Sequence, residues 1–373
     1  MIKLCIWMNM PSHHQSAFFQ ALAERGDVDL AVRYFSGVDE QRIRQGWEAA
    51  PQMRSYECRV GSSIPDVLNS LPDWRSRIHI IALSFSPQLV AYFIKEKVCW
   101  CHWSEMPGIR LAQLFHFNRF IFQITECFSR IYRHREAFLL NNYAFCVFAQ
   151  GELAVRALVK YGVKRSRIDQ LYYSPAALPE ILPEAKIIDF AAGRKVFLVA
   201  GSLCDRKGTD LILGAFRMIL PCPDWVLVFC GKEQGDRSYP DMVRQMGMEK
   251  QVLFLGVRPA VEMAGVFAAG DVLIQMSRFD GWGAVLNEAA SCGLPIIASE
   301  MTGAAWHIVH PGFNGFRVAL RRSALARAMS VYVEDSRLRA VHGANSRLLF
   351  YKEFTPEQNA ERLVRCLERR LNA

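Results

Sequence analysis

The chain has 373 residues, of which 51% are hydrophobic and 22% are charged. This length suits two domains of about 150–200 residues each, and this composition excludes a disordered chain. The net charge of +9 at pH 7 suits anionic small molecules or an anionic membrane surface, and it is too weak to indicate a nucleic-acid partner.

The N-terminal residues predict a first strand rather than a signal peptide, because their apolar run holds one lysine and ends at Pro11. The 11 cysteines are scattered, and an odd count without a secretory signal indicates reduced thiols and a cytoplasmic location. The longest apolar stretch, 78–94, contains a histidine, serines and a proline, so we interpret it as a strand followed by a helix. A membrane-spanning helix would need about 20 apolar residues, and we predict none.

Strands and helical patterns alternate along the whole chain. Short, nearly continuous apolar runs predict strands at 3–8, 29–35, 78–85, 97–103, 145–150, 195–202, 225–232, 251–257, 271–277 and 295–299. Such runs are typical of parallel strands covered on both faces, so we predict an α/β chain with two doubly wound, Rossmann-like domains. Ligands of such sheets bind beyond the carboxyl ends of the strands, which would place the site in a central cleft between the two domains.

The segment 172–195 marks the boundary between the halves, because it carries three prolines and precedes a fresh strand. We therefore predict an N-terminal domain over 1–175 and a C-terminal domain over 176–354. The last residues, 355–373, open with Thr355 and Pro356, a cap followed by proline at the first helical position. They predict a terminal helix, for which packing back onto the first domain is one alternative.

The first half contains a predicted helix start near its N-terminus and a segment rich in aromatic and basic residues. Ser12 and Gln15 have the spacing of a capping box, so a helix is predicted to begin there. The segment 114–135 interleaves aromatic and aliphatic side chains with arginines such as Arg119 and Arg130. Two interpretations stay open for it: an amphipathic helix in peripheral contact with an anionic membrane, or a helix whose aromatic side chains pack in the core.

In the second half, the stretch GSLCDRKG (201–208) follows a predicted strand and precedes an amphipathic helix. Arg206 and Lys207 stand side by side before Gly208, and a lysine at a strand–helix turn is suited to meet a diphosphate. A solvated loop lysine is the alternative interpretation.

The stretch DGWGAVLNEAASCGLPIIAS (280–299) also follows a predicted strand. Its first glycines would let a ligand approach the backbone at the start of a helix, where unpaired N–H groups favour an anion. Asp280 could accept hydrogen bonds from sugar hydroxyls, and Glu288 could bind a ribose diol. Alternatively, Asp280 is a helix cap and Glu288 is a solvated helix residue.

Together, these stretches resemble the retaining glycosyltransferases of family 4 (glycosyl transferases group 1), which have the GT-B fold. That family carries Gly-Arg-Leu-x-x-x-Lys-Gly on the first strand of its second domain. Further on it carries Glu-Gly-Phe-Gly-x-x-x-x-Glu-Ala, followed by Gly-x-Pro-Val-Ile-Ala-Ser. The resemblance is specific over about 151–320 and loose over 1–150. Supporting matches lie at 151–173, 256–277 and 310–318.

The resemblance implies transfer of a sugar from a nucleoside diphosphate, such as a UDP-sugar or GDP-sugar, to a hydroxyl acceptor with retention of configuration. The acceptor would be a saccharide or lipid-linked saccharide of bacterial polysaccharide, lipopolysaccharide or glycoconjugate assembly. The family needs no metal or other cofactor. Its work on lipid-linked sugars implies a cytoplasmic location, with the inner face of the cell membrane as the alternative.

Three side chains are implied to be catalytic. Lys207 would bind the diphosphate, and Asp280 would hold the transferred sugar. His102 follows an apolar run at a place where the family often has a histidine that touches the donor sugar. A core or surface histidine is the alternative there. His13 and His14 could meet the acceptor or the donor, or belong to a capping loop.

The residues that the resemblance implies to bind the donor are Ser202, Arg206, Arg258, Gly281, Trp282, Gly283 and Glu288. Of these, Glu288 would hold the ribose, and Arg258 would lie near the nucleotide. Two positions depart from the family pattern: Ser202 replaces an arginine, for which Arg206 is a candidate substitute, and Asp280 replaces a glutamate.

Rival functions follow from these departures and from the fold. The chain could be a nucleotide-sugar-binding scaffold or a weakly active partner in a polysaccharide assembly complex. It could also be a nucleotide-sugar epimerase or a phosphorylase, although a phosphorylase would need a longer chain. A glycosidase fits poorly, because its two carboxylates must flank a glycosidic bond.

Overall fold

A computed structural model describes residues 1–44, 46–61, 63–108 and 133–372. The aromatic and basic segment 114–135 lies outside these ranges except for its last three positions, so its contact with a membrane stays a prediction. Within the described ranges, no helix combines the length and the apolar character needed to cross a membrane.

The chain divides into two compact units, and the first comprises residues 1–107, 133–176 and 355–372. Its sheet has seven parallel strands in the order β3-β2-β1-β4-β5-β6-β7. They are β1 (Ile2–Met8), β2 (Val28–Tyr34), β3 (Glu57–Arg59), β4 (Ile78–Ile81), β5 (Trp100–Ser104), β6 (Cys146–Ala149) and β7 (Ile168–Gln170). The five strands predicted for this half are confirmed, whereas β3 and β7 were not predicted, because each has three residues and no continuous apolar run.

Both faces of this sheet are covered. Leu4 and Ile6 of β1 belong to one apolar cluster and Cys5 and Trp7 to another, as the alternation of side chains along a strand requires. The helices that follow the strands are α1 (His13–Ala23), α2 (Glu40–Ile43), α3 (Ile64–Asn69), α4 (Pro87–Lys95), α5 (133–142) and α6 (Gly151–Lys160).

The second unit comprises residues 177–354 and has a six-stranded parallel sheet in the order β10-β9-β8-β11-β12-β13. Its strands are β8 (Lys195–Ala200), β9 (Trp225–Cys230), β10 (Val252–Gly256), β11 (Val272–Gln275), β12 (Ile296–Ser299) and β13 (Gly315–Val318). The five strands predicted here are confirmed, and β13 is an addition. Its helices are α7 (Ala185–Ala191), α8 (Thr209–Met218), α9 (Tyr239–Gln245), α10 (Met263–Ala268), α11 (Val285–Ser291), α12 (Ala305–Ile308), α13 (Arg322–Glu334) and α14 (Ser336–Leu349).

The order of this second sheet creates a topological switch point between β8 and β11. From β8 the chain builds β9 and β10 on one side, and it then returns to add β11, β12 and β13 on the other. The connections that leave β8 and β11 therefore lead in opposite directions along the sheet, one towards β9 and the other towards β12. Such a point is where doubly wound sheets bind ligands.

The last helix, α15 (Pro356–Leu371), belongs to the first unit. Thr355 caps it by accepting a hydrogen bond from the backbone N–H of Gln358, so the helix start predicted from Thr355 and Pro356 is confirmed. The buried side chain of Asn359 accepts a bond from the backbone N–H of Tyr172 and donates one to its carbonyl. The helix also packs on α1.

Candidate functional site

The loops that leave β8 and β11 approach each other closely at the switch point. Gly208 has a φ of +71°, and a Cβ atom there would lie 2.1 Å from the carbonyl oxygen of Met276. No side chain fits so close to another backbone, which explains why glycine occupies this position. The two loops are also joined by a 2.7 Å hydrogen bond from the backbone N–H of Arg278 to the carbonyl of Arg206.

This approach brings together Lys207 and Asp280, two of the three predicted catalytic residues. The Lys207 Nζ lies 2.6 Å from the Asp280 Oδ2, and the side chains are only 17% and 13% exposed. The same Oδ2 accepts hydrogen bonds from the Gln275 amide at 3.1 Å and from the Ser277 hydroxyl at 3.3 Å. The carboxylate is therefore held firmly at the end of β11.

The electrostatic balance at Asp280 favours its ionised form. Burial alone would raise the pKa of this carboxyl, but the positive charges of Lys207 and Arg206 outweigh burial and hold the pKa below its ordinary value. The pair thus places a carboxylate and an ammonium side by side at neutral pH, within reach of solvent.

A second ion pair, which the sequence did not single out, fixes the two loops. The Arg278 guanidinium makes two parallel bonds of 2.8 Å to the carboxylate of Asp210, in the first turn of α8. It also donates to the carbonyl of Asp205 in the same loop as Lys207. An acid in the first turn of a helix is common, so nothing in the sequence marked Asp210 as the partner of this arginine.

The glycine-rich stretch after Asp280 turns tightly against the residues that follow β12. Gly283 has a φ of +92°, and a Cβ atom there would lie 2.7 Å from the Thr302 Cγ2. The Trp282 side chain is buried; its Nε1 donates to the Asn287 Oδ1 at 2.8 Å, and its ring stacks on His307. Its indole thus anchors the start of α11.

Around the same stretch, Gly281 lies so close to Gly303 that a Cβ on the latter would come within 2.1 Å of the Gly281 carbonyl oxygen. Asp280 is not the cap of α11, because the cap position is Ala284 and no side chain caps it. The helix-cap interpretation of Asp280 is therefore wrong.

Glu288 lies in the first turn of α11 and is half-buried. Burial raises the pKa of its carboxyl to about 7, because the charged form loses water. A glutamate in this state can either donate or accept a hydrogen bond near neutral pH. The alternative of a fully solvated residue is wrong.

The remaining predicted donor-binding residues are distributed over two loops. Arg206 is half-buried and donates to the carbonyl of Phe279 at 3.3 Å, which places it beside the ion pair. Ser202 is half-buried in the same loop. Arg258, in the loop after β10, donates to the Glu184 carboxylate at 3.3 Å and to the backbone carbonyls of Leu255 and Val257. Its contact with a nucleotide stays a prediction.

His102, the third predicted catalytic residue, lies in β5 of the first unit. It is buried, and its Nδ1 accepts a hydrogen bond from the backbone N–H of Leu83 at 3.1 Å. Burial lowers the pKa of its imidazole to about 4, so the ring is neutral at physiological pH. This geometry describes a core histidine that orders the loop after β4, and its contact with a donor stays a prediction.

The loop after β1 begins a helix where predicted, but not by a capping box. The Ser12 side chain makes no cap bond; its hydroxyl instead lies 3.3 Å from the Tyr173 hydroxyl. The capping-box prediction is therefore wrong, because this tyrosine occupies the hydroxyl. The rings of His13 and His14 are 3.8 Å apart, and both contact Trp47. Their contact with substrate stays a prediction.

Comparison with known proteins agrees with this architecture. Residues 183–349 match the family model of glycosyl transferases group 1. The lipopolysaccharide core biosynthesis mannosyltransferase LpsB of Rhizobium meliloti is 24% identical over 359 residues, which are 92% of this chain and 97% of that protein. A D-inositol 3-phosphate glycosyltransferase of Corynebacterium aurimucosum is 33% identical over 116 residues, which are 29% of this chain and 28% of that protein.

Among solved structures, Anabaena Alr3699/HepE in complex with UDP aligns over 99% of this chain and 100% of its own, with a TM-score of 0.74 and 17% identity. At this identity the likeness concerns the fold. The predicted GT-B fold, with two Rossmann-like α/β domains, is confirmed by it and by the two parallel sheets.

The Arg278–Asp210 pair yields a prediction about stability. Replacing Arg278 by glutamine leaves the buried Asp210 carboxylate without its bidentate partner, so we expect the free energy of unfolding to fall by about 3 kcal/mol. The matched control is Arg365→Gln, because Arg365 is 76% exposed in a surface ion pair and should cost less than about 1 kcal/mol. Urea denaturation at pH 7 measures both values. Equal losses of unfolding free energy in the two variants would contradict the claim that Arg278 holds the two loops together.

Glu288 yields a prediction about pH. Its folded-state pKa of about 7 lies above the ordinary value of 4.5, so the folded protein binds the proton more tightly than the unfolded chain. The stability that this group contributes is therefore complete below pH 4.5 and is lost as the pH rises through 7. Relative to Glu288→Gln, the wild type should lose about 3 kcal/mol of unfolding free energy between pH 4.5 and pH 8.

The measurement is denaturation of both proteins across this pH range. Glu334→Gln serves as the control for removal of an exposed carboxylate. A constant difference between the wild type and Glu288→Gln from pH 4.5 to pH 8 would show that burial does not shift this carboxyl.

Proposed function

We propose that this chain is a glycosyltransferase of family 4. It has the GT-B fold, and its residues 183–349 match the family model of glycosyl transferases group 1. It transfers a sugar from a nucleoside diphosphate to a hydroxyl acceptor and retains the configuration of the anomeric carbon. The observation that carries this proposal is the Lys207–Asp280 pair at the switch point of the second sheet. There, a cation for the diphosphate and a carboxylate for the sugar stand side by side.

The chemistry to be assisted is departure of a diphosphate from the anomeric carbon. The bond from that carbon to the phosphate oxygen breaks, and a bond to the acceptor oxygen forms on the same face. The acceptor proton passes to the departing diphosphate. Lys207 stabilises the charge that develops on the leaving group, and Arg206 adds a second positive charge nearby.

The acids hold the donor at two separate places. Asp280 accepts hydrogen bonds from hydroxyls of the transferred sugar, while the backbone of Gly281, Trp282 and Gly283 lies beside the sugar and the leaving phosphate. Glu288 binds the ribose diol, a role supported by its half-buried position in the first turn of α11. The two carboxylates thus belong to one ligand and do not form an acid–base pair.

The donor and the acceptor are proposed from the relative that spans nearly the whole chain. Because that relative is a mannosyltransferase of lipopolysaccharide core biosynthesis, and GDP-sugars are among the predicted donors, GDP-mannose is the first donor to test, followed by UDP-sugars. The acceptor is a saccharide or lipid-linked saccharide of a bacterial surface glycoconjugate. The enzyme would meet such an acceptor in the cytoplasm, at the inner face of the cell membrane.

A second candidate function rests on Ser202. Its hydroxyl stands where the resemblance expects an arginine, so one phosphate-binding charge is missing from this loop. A nucleotide-sugar-binding scaffold would retain donor affinity without transfer. A screen in which the wild type binds a donor but transfers it to no acceptor from a broad saccharide panel would support the scaffold over the enzyme.

The enzyme is tested by thermal shift and transfer assays with GDP-mannose and UDP-, GDP- and ADP-glucose. A donor that binds the folded state raises its melting temperature. Lys207→Ala should lower kcat/KM for the active donor by about 100-fold or more, because a positive charge beside the leaving group is lost. Lys250→Ala removes an exposed lysine of the same unit and should leave kcat/KM within about twofold.

Proton NMR of the product gives the anomeric configuration. The proposal predicts the configuration of the donor, and inversion would contradict a retaining mechanism. If Lys207→Ala and Lys250→Ala were equally active, the diphosphate role of Lys207 would fail.

A further inference from the structure

We propose that the Lys207–Asp280 ion pair makes this site prefer an intact nucleoside diphosphate sugar over the free nucleoside diphosphate that the reaction releases. This inference rests on the function proposed above and extends it. It assigns Asp280 a role in discriminating donor from product, in addition to holding the sugar.

Three connections hold together the two loops that carry the pair. The Arg278 guanidinium joins the loop after β11 to the Asp210 carboxylate, and its backbone N–H bonds to the carbonyl of Arg206. The tight approach of Gly208 to Met276 adds a third connection. A ligand that reaches the Lys207 ammonium therefore also meets the Asp280 carboxylate, 2.6 Å away.

The carboxylate presents its two oxygens differently. Lys207, Gln275 and Ser277 all donate to Oδ2. Among the residues that the structure describes, none donates to Oδ1. The buried Gln275 amide and Ser277 hydroxyl already donate to Oδ2. Oδ1 is therefore the oxygen through which Asp280 can accept hydrogen bonds from a ligand.

The two ligands differ in what they offer to this oxygen. In an intact donor the outer phosphate is esterified by the sugar, and the sugar brings neutral hydroxyl groups that donate hydrogen bonds. In the free diphosphate the outer phosphate is terminal and, with a second pKa near 6, gains about one further negative charge at pH 7. Placed at Lys207, that phosphate is repelled by Asp280 and offers no hydroxyl to Oδ1.

The same argument accounts for the use of an aspartate beside the lysine. A neutral amide at position 280 could still receive and donate hydrogen bonds, but it would neither neutralise Lys207 nor repel the product. The ammonium and the nearby Arg206 would then attract the more highly charged ligand more strongly. Product affinity should therefore rise when the negative charge is removed.

The test is calorimetric titration of the full-length wild type and Asp280→Asn with GDP, GDP-mannose, UDP and UDP-glucose. For the nucleotide that the wild type binds, the ratio of the Kd of the free diphosphate to that of its sugar conjugate should fall by about tenfold or more in the variant. Asp280→Glu keeps the charge and should keep the preference for the conjugate. Asp280→Ser, a small hydroxyl residue, replaces Asp280→Asn if that variant does not fold.

The matched control is Asp271→Asn. Asp271 is a half-buried carboxylate of the same unit, paired with Arg339 away from the two loops. Its replacement removes the same charge from the protein and should leave the ratio within about twofold.

The outcomes separate this inference from the proposed function. A wild type that binds one conjugate, with an unchanged ratio in Asp280→Asn, would overturn the inference and leave the glycosyltransferase intact. An equal fall of the ratio in Asp271→Asn would also overturn it, because net charge alone would then explain the effect. A wild type that binds none of the four ligands, and neither ADP nor ADP-glucose, would overturn both.

Discussion

The close approach of two loops at the switch point of the second sheet is the constraint on which the site depends. Lys207 and Asp280 are 73 positions apart in the chain, and they meet because β8 and β11 are neighbours in the sheet. A glycine at position 208 is required, since any side chain there would collide with the backbone after β11. The positions of the Lys207 and Asp280 charges thus follow from the order of the strands and from the glycine at position 208.

Partial burial of two charges is unfavourable unless their hydrogen-bonding capacity is used. Here the loss of water is offset by direct pairing, by the amide and hydroxyl donors on the Asp280 oxygen, and by a second ion pair between Arg278 and Asp210 that holds the loops. A site prepared in this way needs little rearrangement when a ligand brings its own charges, and such preorganised charges assist catalysis most strongly.

Much of this arrangement could be predicted from the sequence. Continuous apolar runs predicted ten strands and the class of fold, because parallel strands covered on both faces need such runs. The spacing of Lys207 and Asp280 relative to those strands indicated the loops of the site. The partner of Arg278 could not be predicted, because pairing with Asp210 depends on loop geometry over long sequence separation. Likewise, Ser12 has the pattern of a cap, but tertiary contact with Tyr173 directs its hydroxyl elsewhere.

The central claim is that one nucleotide sugar bridges Lys207 and Asp280, and a crystal structure of the protein with its donor tests it most directly. The account predicts a diphosphate oxygen within about 3 Å of the Lys207 Nζ and a sugar hydroxyl within about 3 Å of the Asp280 carboxylate. A nucleotide sugar bound away from the loops at 201–208 and 276–288, with the 2.6 Å ion pair unchanged, would contradict it.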